Sequence, residues 1–218
     1  MTLNTELLRI EFVGVTLRHE EVDLQREDLA LFFASVSDRY GLSRLEYHSD
    51  AGATFSSPDG TEFVLRPTQT ASCGVTGMGY REGRERILGL VDEATERYGI
   101  GETWVEDITL VAVWDVGDAE AARELLVDNV LRLDEDRIEL LGGDEITLGL
   151  RIWRRTGEAS LECAIEPMHT EPSKVYIRLV QSGGDPMPDS AALREAADGV
   201  NAFLTGPLAA FMMARARR

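Results

Sequence analysis

The stretches Val36-Ser-Asp-Arg-Tyr-Gly-Leu42 and Ala94-Thr-Glu-Arg-Tyr-Gly-Ile100 carry one pattern, offset by 58 residues. Glycine just past a helical run adopts the left-handed stop, and the apolar residue after it packs back on the last turn. Upstream of the first stretch, Leu29, Phe32, Phe33, Val36 and Tyr40 recur at helical spacing and predict an amphipathic helix over 24–40. Upstream of the second, Ile87, Leu90, Val91, Ala94 and Tyr98 predict another over 80–98. Before the first helix, Leu8, Ile10 and Phe12 alternate with Arg9 and Glu11, which predicts a strand over 7–17. Between the helices, strands over 44–56 and 61–72 flank the turn Ser57-Pro58-Asp59-Gly60 as a hairpin. After the second helix, 104–114 is nearly continuous in apolar residues beyond Asp107 and reads as a central strand.

The resulting order, β-α-β-β-α-β over residues 1–116, is that of a ferredoxin-like unit. The second unit, 117–218, opens with a helix over 118–132, for which Asp118 is the expected N-cap. Three strands follow, over 145–155, 160–166 and 174–180. Ile146, Leu148, Leu150 and Ile152 share one face of the first, and Arg151, Trp153, Arg155, Glu162, Glu166, Tyr176 and Arg178 fall on the other face of the set. Such alternation is what an antiparallel meander with one polar face requires. A closing helix over 189–214 carries Val200, Phe203, Leu204, Leu208, Phe211 and Met212 on one stripe, with Gly206-Pro207 expected to kink it. The fold class is therefore α+β, and the two sheets are free to join into one domain.

Composition narrows the function. The chain has 218 residues and a net charge of −17, from 39 acids against 22 bases. A surface this acidic repels phosphate backbones and anionic bilayers, so neither nucleic acid nor membrane is an expected partner. All bases but Lys174 are arginine, and they are scattered. Acids concentrate between Asp115 and Glu145, a solvated helix and its loops or a docking surface for a basic partner. No basic region followed by an apolar stretch opens the chain, which makes the cytoplasm the expected compartment. The two cysteines, Cys73 and Cys163, cannot form a cysteine-rich metal site and are expected as reduced, buried thiols.

Chemistry-bearing motifs are sparse. Gly74-x-x-Gly77-x-Gly79 runs from a strand into a helix, where backbone N–H groups can hold an anion with Tyr80 and Arg81 as helpers. The spacing is neither a dinucleotide nor a P-loop pattern, so a turning connection explains it equally. His19, His48 and His169 are far apart, and no H-E-x-x-H or nucleophile elbow is present. Asp134-x-Asp136 lacks the other ligand positions of an EF-hand. No catalytic set, metal or cofactor is expected. The meander face with Arg151, Trp153, Tyr176 and Arg178 has the aromatic-plus-arginine composition of interface anchors, and Phe211 with Met212 forms a rival surface.

Leu8-Arg-Ile-Glu-Phe12, Tyr80 before its helix, the strand Ile108 to Trp114 and the helix from Ala191 together resemble an uncharacterised bacterial α+β family of about this size. Gly83, Arg86 and Val111-Ala-Val-Trp114 stand where that family carries aromatics and an Arg-Tyr-x-Asn pattern. The resemblance implies a fold and no mechanism.

Three functions are compatible with these residues. The first is a non-catalytic interaction or adaptor protein that binds a protein partner or itself as a homodimer. The second is an enzyme or sensor for a small anionic ligand near Gly74–Arg81. The third is an acidic inhibitor of a basic protein, acting through the Asp115–Glu145 segment.

Overall fold

Strand β1 (Leu8–His19) occupies the middle of the architecture, with β5 (Gln69–Val75) on one side and β6 (Thr103–Asp115) on the other, both antiparallel to it. The structure is a computed structural model that describes residues 7–75, 77, 79–131 and 148–214. Outward from β5 run β4 (Glu62–Arg66), β3 (Ala53–Ser56) and β2 (Arg44–Tyr47). Outward from β6 run β9 (Lys174–Ser182), β8 (Ala159–Pro167) and β7 (Leu150–Thr156). The result is one nine-stranded antiparallel sheet in the order β2-β3-β4-β5-β1-β6-β9-β8-β7.

Four helices lie among the described residues: α1 (Arg26–Tyr40), α2 (Tyr80–Tyr98), α3 (Ala119–Arg123, prolonged by a π-helical stretch Glu124–Leu131) and α4 (Ser190–Phe203, then π-helical Leu204–Leu208, then Ala209–Met213). Pro207 lies inside the π-helical stretch, so the wider turn absorbs the missing N–H and the helix continues. Asp118 and Asp189 cap α3 and α4 through their carboxylates, to Ala121 N at 2.7 Å and Ala192 N at 2.9 Å. No helix of the described residues is long and apolar enough to cross a membrane.

All four helices pack on one face of the sheet. Val13, Val15 and Leu17 of β1, Leu110 and Trp114 of β6, and Ile177 and Leu179 of β9 are buried there in one continuous core. Under α1, Phe32, Phe55 and Phe63 stack with ring centroids 5.6–6.0 Å apart, and Tyr98 meets Phe32 at 5.7 Å. The repeated helix ending does what its sequence dictates. Gly41 (φ 64°) and Gly99 (φ 62°) are left-handed, Leu42 N and Ile100 N bond back to Ser37 O and Thr95 O, and both apolar residues are buried.

The ferredoxin-like order is not what the chain shows. Between α1 and α2 lie four strands, not two, giving β-α-β-β-β-β-α-β. The stretch 44–56 breaks at His48–Gly52, where Ala51 turns left-handed (φ 64°), and 61–72 breaks at Pro67-Thr68. The meander β7-β8-β9 forms as the alternation predicts, and β9 pairs with β6, so the two units share one sheet. Phe12 is a second correction. A bulge at Glu11 reverses the alternation, so Leu8 and Ile10 face the helices while Phe12, opposite Val111, faces away.

Two outcomes follow for stability. At Gly99 a Cβ meets nothing within 4 Å, so Gly99→Ala isolates the left-handed backbone penalty and lowers urea-measured stability by about 1 kcal/mol, whereas Gly101→Ala, equally open and not left-handed, leaves it unchanged or raised. Asp59 ties the Ser57–Gly60 turn to α2: its carboxylate accepts from the Ser57 hydroxyl, from Thr61 N at 3.1 Å and from Arg86 Nη1 at 2.6 Å. Those bonds hold its pKa well below the ordinary 3.8, the Ser57 bond foremost. A carboxyl whose pKa falls on folding adds stability above its unfolded value and loses it as pH drops toward the folded one. Asp59→Asn is therefore less stable than wild type at pH 7, and the gap in urea midpoint closes below about pH 4.

Candidate functional site

The face turned away from the helices is covered by no described helix. One row of cross-strand neighbours crosses all nine strands on it: Arg44, Ser56, Glu62, Cys73, Gly14, Thr109, Val180, Glu162 and Trp153. A parallel row places Val75 beside Phe12, then Val111, Arg178, Ala164 and Arg151. Tyr176 follows in the next row, between Val113 and Glu166. Arg151, Trp153, Tyr176 and Arg178 thus share one face, as their alternation predicts.

Its centre is flat and apolar. A Cβ on Gly14 would lie 3.0 Å from Phe12 Cε1 and 3.2 Å from Cys73 Cβ, so the missing side chain lets the Phe12 ring lie down on the sheet. Toward β7 the face rises. Trp153 is 66% exposed, with the Arg151 guanidinium 5.9 Å from its ring centroid and 3.5 Å from the Glu162 carboxylate. Arg178 is exposed and has no ion-pair partner among the described residues. Cys73 lies half-buried on this face, not in the core as expected. Burial first, then the Glu62 carboxylate opposite, push its thiol up, away from thiolate chemistry. Cys163 is buried on the helix side, where burial alone pushes its thiol up to about 12.

The glycine-rich loop is dispersed. Gly74 lies within β5, where a Cβ would press on Ile87 and Thr61, so it serves the packing of α2. Gly77, Gly79 and Tyr80 line a cleft of about 550 Å³ together with Arg9, Glu11 and Asn201, whose buried Oδ1 has no hydrogen-bond partner. Arg81 is exposed and lines a shallower depression with Glu82 and Glu85. The Tyr80 hydroxyl donates to Asp198 Oδ1 at 3.0 Å, and burial followed by that bond pushes its pKa well up. Arg84 pairs with Asp198 and Glu85, and Arg194 with Asp92, so the cluster staples α2 to α4. The cleft wall pairs the Arg9 guanidinium with the Glu11 carboxylate at 3.5 Å and adds the two-sided amide of Asn201, so it favours neither sign of ligand charge.

The remaining candidates separate. Met212 is buried in the core and Phe211 is 47% exposed on the helix layer, so the two do not form one surface. His19 is buried. Its Nδ1–H donates to Glu20 O at 2.7 Å, and Nε2 hydrogen-bonds Thr70 Oγ1 at 3.1 Å. His48 bonds Thr54 Oγ1 at 2.7 Å, and His169 is exposed in the loop between β8 and β9. Among the described residues no group of three or more His, Cys, Asp or Glu side chains could hold a metal. Asp134-x-Asp136 and most of the acidic segment toward Glu145 lie outside the described residues. What sequence reasoning missed is the left half of the uncovered face, Phe12, Gly14, Cys73 and Val111. The only signal for it is the bulge, which alternation alone does not reveal.

The staples predict a purely structural effect. Arg194→Ala leaves Asp92 facing a half-buried vacancy and lowers urea-measured stability by about 1 kcal/mol, reduced from a buried pair because both groups are partly solvated. Any association through the opposite sheet face is unchanged in the same variant.

No protein-family model matches the chain and no curated protein matches it, so the geometry of the face carries the functional reading.

Proposed function

We propose that the chain is a non-catalytic interaction protein of the cytoplasm, an adaptor that binds a protein partner or a second copy of itself through the uncovered sheet face. The observation that supports it is the placement of Trp153, Tyr176, Arg151 and Arg178 on one face that no described helix covers. Contiguous apolar surface is rare on soluble monomers unless a partner covers it. Trp, Tyr and Arg are also the residues that contribute most when interfaces form.

The parts have distinct roles. The flat strip around Gly14 and Phe12 supplies apolar area that loses its water on contact. Trp153, standing above the sheet near one edge, fixes position by filling a pocket on the partner. Arg178 carries a rigid fork of donors and selects a carboxylate opposite it.

The test compares wild type with the double variant Trp153→Ala, Arg178→Glu, both checked for folding by circular dichroism. Wild type sediments as a stoichiometric complex, alone or after addition of host-cell extract. The double variant weakens that complex about tenfold or more. Phe211→Ala, altered on the helix layer, retains it. A complex indifferent to the double variant, or no complex at all, refutes the reading.

A further inference from the structure

We infer that the occupant of the uncovered face is a second copy of this chain, packed sheet against sheet about a two-fold axis; this rests on the reading of that face as the working surface. Charge is the first argument. With 39 acids against 22 bases, two copies repel over most of their surface. The uncovered face departs from that average. Its acids Glu46, Glu62, Asp107, Asp115, Glu162 and Glu166 are more than matched by Arg9, Arg18, Arg44, Arg66, Arg151, Arg155, Lys174 and Arg178, which the ladder register places on the same side. Two copies meeting here keep their excess acid on the far sides.

Self-complementarity is the second argument. In a two-fold contact, residue i of one copy meets j of the other, and j meets i. Neither Arg178 nor Glu166 has an ion-pair partner among the described residues, and they sit in adjacent rows on the neighbouring strands β9 and β8. One copy's arginine can answer the other's glutamate twice over. The centre of the sheet is β1, the fifth strand of nine. Its outward residues Phe12, Gly14 and Thr16 lie between Ala71, Cys73, Thr109 and Val111. With the Phe12 ring seated over Gly14 and its neighbours small, the centre allows the roughly 10 Å approach of two stacked sheets.

Area is the third. Nine strands spaced about 4.8 Å apart span about 38 Å, and strands averaging about eight residues run about 26 Å at 3.3 Å per residue. The face therefore offers on the order of 1,000 Å², above the roughly 800 Å² per partner that a stable dimer buries.

The test pairs light scattering with thiol chemistry. Purified wild type at micromolar concentration scatters as twice the 24.1 kDa chain, and Trp153→Ala with Arg178→Glu reduces it to the single mass. Cys73, near the centre of the proposed contact, serves as the reporter, and buried Cys163 as the control that stays unmodified in both. Iodoacetamide alkylates Cys73 about tenfold or more slowly in wild type than in the monomeric double variant, at the same pH. A single-chain mass with Cys73 alkylated at the variant's rate overturns the inference. So does a dimer that survives the double variant with Cys73 equally reactive, because it uses another surface. If the purified chain is monomeric yet captures a different protein that the double variant loses, self-pairing is overturned while the face remains the working surface. Neither dimer nor capture overturns both.

Discussion

The ladder between β1 and β6 is the constraint on which the molecule turns. It is the joint between the strands on the β5 side and those on the β9 side, and it carries two irregularities, at Glu11 and at Glu106. A strand alternates with period two, so one inserted residue exchanges inside for outside. The bulge at Glu11 lets Leu8 and Ile10 face the helices while Val13, Val15 and Leu17, starting three residues on, do so too. Without it, keeping Val13, Val15 and Leu17 in the core turns Leu8 and Ile10 outward. The cost is that Phe12 lands on the uncovered face, where only Gly14 leaves room for its ring.

The two faces are stabilised by different means. On the helix side, shape-matched burial dominates, with the Phe32-Phe55-Phe63 cluster under α1 and Trp114 fully enclosed farther along the sheet. Charged staples then fix the helices relative to one another. Arg86 alone reaches both Asp59 in the β3–β4 turn and the carbonyl of Tyr40 at the end of α1. Tyr40 in turn lies so close to Gly89 of α2 that a Cβ there would approach its hydroxyl to 2.6 Å. These polar links are partly solvated and contribute modestly, but they are directional, and they hold the helix layer in one arrangement. The other face has only its own cross-strand neighbours, which is enough to order a sheet and not enough to dry it.

Much of this was legible in the sequence, and the limits have physical causes. Both helix endings were readable because a left-handed glycine followed by an apolar residue has one structural meaning. The face shared by Arg151, Trp153, Tyr176 and Arg178 was readable because strands β7 to β9 are regular, so alternation carries through. The split of 44–56 at Ala51 was not, since alanine carries no turn signal. The bulge at Glu11 was hidden because a bulge residue looks like any other exposed glutamate. The pairing of β6 with β9, and the bonds of Tyr80 to Asp198 and Arg194 to Asp92, join residues some sixty to 120 positions apart, beyond any local pattern. The four-stranded run between the helices was compressed to two for the same local reason, since Pro67-Thr68 makes a turn too short to interrupt the alternation.

The pattern of perturbed side chains separates staple from chemistry. Shifted titration marks an active site when several displaced groups converge on one concavity. Here the displaced groups on the helix side each have a structural cause in view: burial for Tyr40 and Tyr98, burial and Asp198 for Tyr80, the Asp92 bond for Arg194. Their shifts strengthen the form already present at neutral pH, phenol or guanidinium, which is the opposite of what a proton-transfer group needs. On the uncovered face the shift at Cys73 also runs away from reactivity. A quiet Cys73 thiol together with a Trp153 that stands in water is the combination on which the proposed interaction reading of this face rests.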